Sequence, residues 1–94
     1  MYERVLRQLR ERIRTRQYVM TLHAEEEMND DLLTVFDVER VILTGVIVER
    51  QENHVSGEWK YVIDGESIDG RDVSVVGKLS VTGKLIIITV YRDE

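Results

Sequence analysis

A histidine followed by three glutamates is the first group of residues in this sequence that could do chemistry. The stretch T-L-H-A-E-E-E-M covers residues 21–28, and its His23 is one of two histidines among 94 residues. Imidazole exchanges a proton near neutral pH, so His23 is a candidate general acid or base. If the stretch is helical, His23 and Glu27 lie one turn apart and could face one metal ion. A structural interpretation is also open, with Thr21 as helix cap and the glutamates near the positive end of the helix dipole.

Several side chains along the chain, His23 among them, are of the types that metal-independent RNA cleavage requires. Such cleavage needs a proton acceptor, a proton donor and cations near the scissile phosphate. The candidates are His23, Lys60, Tyr61, Arg71, Tyr91 and Arg92. Each also has a structural interpretation, as a packed histidine, a half-buried strand aromatic or a solvated charge at the end of a strand.

Composition excludes several other kinds of site. The chain has no cysteine, which excludes thiol catalysis, zinc–thiolate sites and disulfides. No serine stands in a nucleophile-elbow pattern, and the glycines are spaced for turns rather than for a phosphate-binding loop. One His–Glu pair does not make a metal centre, so we expect no metal and no cofactor. No apolar run could span a bilayer and no signal peptide is recognisable, so we expect a cytoplasmic protein without membrane contact.

Charge is unevenly distributed, although the net charge is only −5. Residues 1–20 hold six Arg against two Glu, a net of +4, whereas residues 21–39 hold seven acidic residues and no Lys or Arg. The first segment could attract RNA or an acidic partner, and the second would repel a polyanion. The arginines of the first segment also have glutamates at helical spacing, which is typical of a solvated helix face.

Apolar periodicity predicts helices first and strands afterwards. Helices are predicted over residues 2–15, from the Thr21 cap to about Asp30, and over 35–44, with a short strand or turn at 18–22. The helix over 35–44 should start with a Thr34–Asp37 capping box and end at a Gly45 cap. Strands are predicted over residues 46–50, 58–63, 72–81 and 85–91.

The strand over 85–91 is apolar on both faces, as expected for a central strand with both faces buried. A polar loop over residues 51–57 and a tight hairpin at residues 82–84 connect the strands. Together these elements predict one α+β domain over residues 1–94. It should have two or three N-terminal helices packed on an antiparallel sheet of about four strands.

Short motifs in a fixed order resemble a known family. They read TLHAEEEM (21–28), DVERVILTGVIVE (37–49), DGRDVSVV (69–76) and IIITVY (86–91). This order resembles the bacterial family catalogued as domain of unknown function 4258, with residues 18–92 as the family-like core and the Arg-rich helix of residues 1–16 outside it. That family is distantly similar to the RelE/ParE and BrnT toxins, small α+β proteins of which many RelE-like members cut mRNA and ParE-like members act on gyrase.

The resemblance implies a toxin of a toxin–antitoxin system, with an mRNA endoribonuclease activity and a small antitoxin protein as partner. Carried over by position, it implies His23 as general acid or base, Arg71 as the group that stabilises charge on the phosphate, and Tyr91 as an orienting or donating group. Lys60 and Arg92 would then bind the RNA substrate.

Two acidic residues depart from the family pattern and support a second interpretation. Relatives usually carry Arg where this chain has Glu27 and Asp31, and two anions would repel a phosphodiester. The chain would then be a non-catalytic protein-interaction module of the same fold, with Glu26, Glu27 and Asp31 on an acidic partner-binding surface. A homodimer could form through the apolar face of the first helix, or through the strand over 85–91 if it lies at a sheet edge.

Overall fold

Helices dominate the first half of the chain and strands the second, as the periodicity predicts. The computed structural model describes residues 1–93. The elements are α1 (Glu3–Arg14), β1 (Tyr18–Met20), α2 (Leu22–Asp30), α3 (Val35–Thr44), β2 (Val46–Glu52), β3 (Trp59–Glu66), β4 (Asp72–Leu79) and β5 (Leu85–Arg92). The predicted α+β class is confirmed. None of the helices in the described residues has the length and apolarity needed to cross a bilayer.

The strands form one mixed sheet in the order β1-β5-β4-β3-β2. Strands β2 to β5 pair with antiparallel neighbours, whereas β1 pairs in parallel with the start of β5, from Tyr18 opposite Leu85 to Met20 opposite Ile87. The sheet therefore has five strands, not the four antiparallel ones predicted. The difference is β1, whose three residues are too few for an alternating pattern to distinguish a strand from a turn.

The predicted N-terminal caps of α2 and α3 are confirmed. The Thr21 hydroxyl accepts the Ala24 N–H at 3.1 Å. Thr34 and Asp37 form the capping box, with the Thr34 N–H donating to Asp37 Oδ2 at 2.8 Å. The second oxygen of Asp37 accepts the N–H of Ile68 at 2.8 Å, which ties the β3–β4 loop to α3. Burial by itself raises the pKa of the Asp37 carboxyl, but the N–H groups of Thr34 and Ile68 outweigh it and hold that pKa below its usual range.

Gly45 ends α3 for a different reason from the predicted cap. Its backbone is extended, with φ −85° and ψ −167°, rather than left-handed. A Cβ at this position would lie 2.3 Å from the carbonyl oxygen of Asp64 and 2.5 Å from that of Val41, so glycine permits close approach to β3. The terminal carbonyls are bound instead by Arg10, whose guanidinium donates to Ile42 O at 3.1 Å and to Gly45 O at 2.9 Å. One arginine of the basic face of α1 is thus a helix cap.

The hydrophobic core lies between the helices and one face of the sheet. It contains Leu9, Ile13, Ala24, Leu33, Val38, Val41, Ile42, Tyr61, Ile63, Val73, Val75, Leu85, Ile87 and Val90. All three helices contribute, and on β3, β4 and β5 the core residues mainly alternate with residues outside the core. Because Leu9 and Ile13 of α1 are buried here, the apolar face of α1 is occupied within its own chain.

Candidate functional site

His23 lies on the first turn of α2 with 66 % of its side chain exposed. Its Nε2 is 3.1 Å from Glu27 Oε1, so the predicted pairing one turn apart is present. The same Glu27 oxygen accepts the backbone N–H of Val90 at 3.2 Å. The carboxylate therefore joins the histidine to β5 and does not point freely into solvent. No group of three metal-ligating side chains occurs in residues 1–93.

Side chains of α2 bind the part of the β5 edge that β1 does not reach. Thr21 continues the pairing, its N–H donating to Ile87 O and its hydroxyl to Ile88 O, both at 3.0 Å. Glu27 then accepts the Val90 N–H, and Asp31 Oδ2 accepts the Arg92 N–H at 3.2 Å. Arginine has no acceptor and could make neither of the last two bonds. The two acidic departures from the family pattern thus have a structural role, since they satisfy exposed strand amides.

Arg71 holds the end of α2. Its guanidinium donates to Asp31 O at 2.8 Å, to Leu32 O at 2.9 Å and to Asp69 Oδ1 at 2.9 Å. The Ser67 hydroxyl and then Arg71 hold the pKa of the Asp69 carboxyl below its usual range by hydrogen bonding to the charged form. Three directions of the guanidinium fork are therefore taken by the protein itself, two of them by carbonyls at a helix C-terminus.

Tyr91 and Lys60 lie on the opposite face of the sheet from His23 and Arg71. Val90 and Tyr61 are core residues, so their sequence neighbours Tyr91 and Lys60 point away from the helices. Arg92 follows at the end of β5, where its N–H is bound by Asp31. No hydrogen bond or ion pair joins His23, Arg71 and Tyr91, which the resemblance marks as catalytic, and their catalytic role stays a prediction.

The acidic partner-binding surface is only partly available. Glu26 is exposed on α2, as predicted. Glu27 and Asp31 are half-buried and hydrogen-bonded to β5. A partner protein could contact Glu26 directly, whereas Glu27 and Asp31 already accept hydrogen bonds from strand amides.

Sequence reasoning missed a second surface, which we call the open face. It is the side of the sheet without helices, and its apolar and aromatic members, with Thr89, are Val19, Val48, Val62, Val76, Ile86, Ile88, Thr89 and Tyr91. Polar and charged residues surround them on the same face, namely Glu49, Gln51, Asp64, Ser74 and Asp93. None of these residues belongs to the core cluster. The signal was present in the sequence, because β5 is apolar on both faces and only one of them is covered here. Tyr91 is 39 % exposed and Val48 51 %.

The molecule thus belongs to a class of small α+β proteins with a mixed sheet, one layer of helices and one uncovered sheet face. More particularly, the chain belongs to the family described as Domain of unknown function (DUF4258), whose sequence model matches residues 20–92. This confirms the family resemblance drawn from the motifs and leaves α1 outside the match. No curated protein and no solved structure matches the chain.

Proposed function

We propose that this protein is a non-catalytic protein-interaction module that binds its partner through the open face. By resemblance we assign it a RelE/ParE-like fold and a place in the bacterial cytoplasm. One observation carries the proposal: helices cover a single face of the sheet, while the strand residues on the other face are apolar at its centre. Contiguous apolar surface of this kind marks interaction sites in folded proteins.

The contacts of Arg71 support a module rather than a nuclease. An arginine that stabilises a phosphoryl transition state must present free N–H groups to the developing charge. Here three of the five guanidinium N–H groups of Arg71 already bind Asp31 O, Leu32 O and Asp69, and these bonds fix the guanidinium at the end of α2. Releasing them would leave two carbonyls at the end of α2 without their partner.

The charge around His23 supports the same conclusion. Glu27 is 3.1 Å from the imidazole, and Asp31 follows one turn later on the same side of α2, against β5. A phosphate brought to His23 would meet repulsion of about 1–2 kcal/mol from each nearby carboxylate at a moderate effective dielectric. The acidic helix therefore disfavours RNA at the position where the resemblance places the chemistry.

An mRNA endoribonuclease of the toxin–antitoxin type is the second candidate, and the pairing of the exposed His23 with Glu27 favours it. A carboxylate beside an imidazole orients the ring and supports proton transfer in many hydrolytic sites. In this alternative His23 would be the general base, and Tyr91 would have to act from the other face of the sheet.

Cleavage assays separate the two candidates. Purified wild-type protein, His23→Ala and the control Glu26→Ala are incubated with end-labelled mRNA, and each is also expressed alone in growing cells. We expect intact RNA and equal growth for all three. RNA cleavage by the wild type that disappears in His23→Ala and persists in Glu26→Ala would overturn the proposal.

Co-purification tests the binding function itself. Tagged wild type, Val76→Asp on the open face and Glu26→Lys on α2 are purified from cells that also express an untagged copy of the chain. We expect one stoichiometric protein, whether a second copy or another chain, with the wild type and Glu26→Lys but not with Val76→Asp. Retention of every associated protein by Val76→Asp would contradict binding through the open face.

A further inference from the structure

We infer that a second copy of this chain covers the open face, with the two sheets packed face to face about a two-fold axis. This inference rests on the proposed function and names its partner. In such an isologous interface each residue that meets a partner residue is met by it in return. The surface must therefore be complementary to itself, and the open face meets that requirement.

The centre of the open face is apolar on β3 and β4, where Val62 and Val76 lie directly opposite each other. On β5, Thr89 lies opposite Val76, and Ile86 lies opposite Lys78. Val19 and Val48 lie towards the two sheet edges. Val62 is only 8 % exposed although it lies outside the core cluster, so its neighbours on this face already shield it. Two such surfaces can interdigitate about 10 Å apart, as in β-sandwiches.

Charges of opposite sign lie on either side of Val62. Lys60 and Asp64 are each two residues away on β3, hence on the same face and about 7 Å from Val62 in opposite directions. Lys78 lies near Lys60 but is paired with Glu58. Lys60 has no ion pair with the described residues. Of these two lysines it is therefore the one whose charge is not balanced within one copy of the chain.

A two-fold axis that passes over Val62 brings each of these charges to its opposite. The axis lies midway between the two sheets, parallel to them and perpendicular to β3. A rotation by 180° about it places Asp64 of the second copy opposite Lys60 of the first, and the reverse pair forms at the same time. Asp64 accepts the Ser74 hydroxyl at 2.6 Å and keeps lone pairs for an ammonium group. Two equivalent ion pairs would therefore flank the apolar centre and fix its register.

The other surfaces offer less to a second copy. The apolar face of α1 is buried in the core, and Thr21, Glu27 and Asp31 bind the part of β5 that β1 does not reach. The edge of β2 carries a bulge between Ile47 and Glu49, which discourages strand pairing. Strand β5 is not at an edge, so the expected homodimer cannot form through it in the way the sequence suggested.

The size of the face is close to that of a specific contact. Strands β3, β4 and β5 have eight residues each, β2 has seven and β1 has three, so at about 3.3 Å per residue and about 4.8 Å between strands the face covers roughly 540 Å². Each partner in a specific interface contributes about 600–1,000 Å². The open face lies just below that range, which predicts a dimer of low to moderate affinity.

Reciprocal charge variants test the inference by sedimentation equilibrium. We expect wild type to sediment at twice its 11.0 kDa chain mass. Lys60→Asp and Asp64→Lys should each weaken self-association about tenfold or more, because each places like charges at both pairs. An equimolar mixture of the two variants should dimerise again, since every contact in the heterodimer then joins opposite charges. Circular dichroism on each variant verifies that it is folded.

Three outcomes would show that a second copy does not cover the open face. These are a wild type that stays monomeric up to the highest concentration, single variants that dimerise as tightly as wild type, and a mixture that associates no better than its components. If the wild type is monomeric but co-purifies with another protein that Val76→Asp loses, this inference fails and the proposed module stands. RNA cleavage that depends on His23 would instead defeat the proposed function, whatever the oligomeric state.

Discussion

Strand β5 has isoleucines on both faces of the sheet, but the two faces have different surroundings. On β5, Leu85, Ile87 and Val90 face the helices and are fully buried, whereas Ile86 and Ile88 face the other way and stay partly exposed. Three helices cover the first face, and no part of the described chain covers the second. The covered face accounts for stability, and the apolarity of the open face has no explanation within one copy of the chain.

Apolar residues on both faces of a strand therefore indicate burial of both faces, but they do not show whether the same chain or another chain covers each face. A strand with two apolar faces predicts burial on both sides, yet the second layer can come from another molecule. The comparison can be tested by changes that act on one face and spare the other.

Truncation of neighbouring isoleucines on β5 gives the largest expected contrast. Ile87→Ala removes a side chain with no exposed surface, so we expect it to cost about 2–5 kcal/mol in the free energy of unfolding. Ile86→Ala on the open face should cost less than about 1 kcal/mol when the protein is dilute and monomeric. Urea denaturation measures both. Equal losses would mean that the open face is already packed within one chain.

The loss of stability on removing the Asp37 carboxylate should be the next largest. Asp37→Ala removes the capping-box bonds to Thr34 and the bond to the Ile68 N–H, for an expected loss of about 1–3 kcal/mol, while the exposed Asp30→Ala serves as control. Since the folded-state pKa of Asp37 is lowered, its contribution is present above the unfolded value near 4 and is lost as pH falls through the folded value. The difference between wild type and Asp37→Ala should therefore shrink in acid. A constant difference from neutral pH to strong acid would contradict this role.

The bonds from α2 to the β5 edge should contribute less. Glu27→Ala leaves the Val90 N–H without its acceptor, so we expect a loss of about 1 kcal/mol and faster hydrogen exchange at that amide. Glu27→Gln keeps an acceptor and should retain most protection, and Glu26→Ala should change neither quantity. Unchanged hydrogen exchange at the Val90 amide in Glu27→Ala would show that Glu27 does not protect this part of β5.

Tyr18 gives the smallest expected effect, confined to alkaline solution. Burial, and then its hydrogen bond to Glu39, raise the pKa of the Tyr18 hydroxyl to about 12. The folded state thus favours the neutral phenol, and this contribution is complete below pH 10 and is lost as pH rises towards 12. Tyr18→Phe should flatten the fall of stability with pH in that window. An identical slope in both proteins would argue against the pairing with Glu39.

Local features of the fold could be predicted from the sequence, and long-range ones could not. The Thr21 cap and the Thr34–Asp37 box depend on residues three apart, so their patterns are complete within one turn. The bond from Glu27 to Val90 joins residues 63 apart, and no local pattern indicates it. Strand β1 was ambiguous because its parallel partner lies near the other end of the chain.

The candidate site shows the same division. Pattern and resemblance located His23 and the anomaly at Glu27, and the structure pairs them. The engagement of Arg71 with the end of α2 and the position of Tyr91 on the open face depend on topology. Residue types alone therefore grouped side chains that the sheet separates.

The central claim is that a second copy of the chain covers the open face, and cysteine labelling tests it most directly. The chain has no native cysteine, so Thr89→Cys on the open face and Ser56→Cys in the exposed β2–β3 loop each provide a single thiol. As protein concentration rises through the dimer range, we expect maleimide labelling at Thr89→Cys to slow several-fold while Ser56→Cys reacts at a constant rate. A constant rate at both positions would contradict the claim.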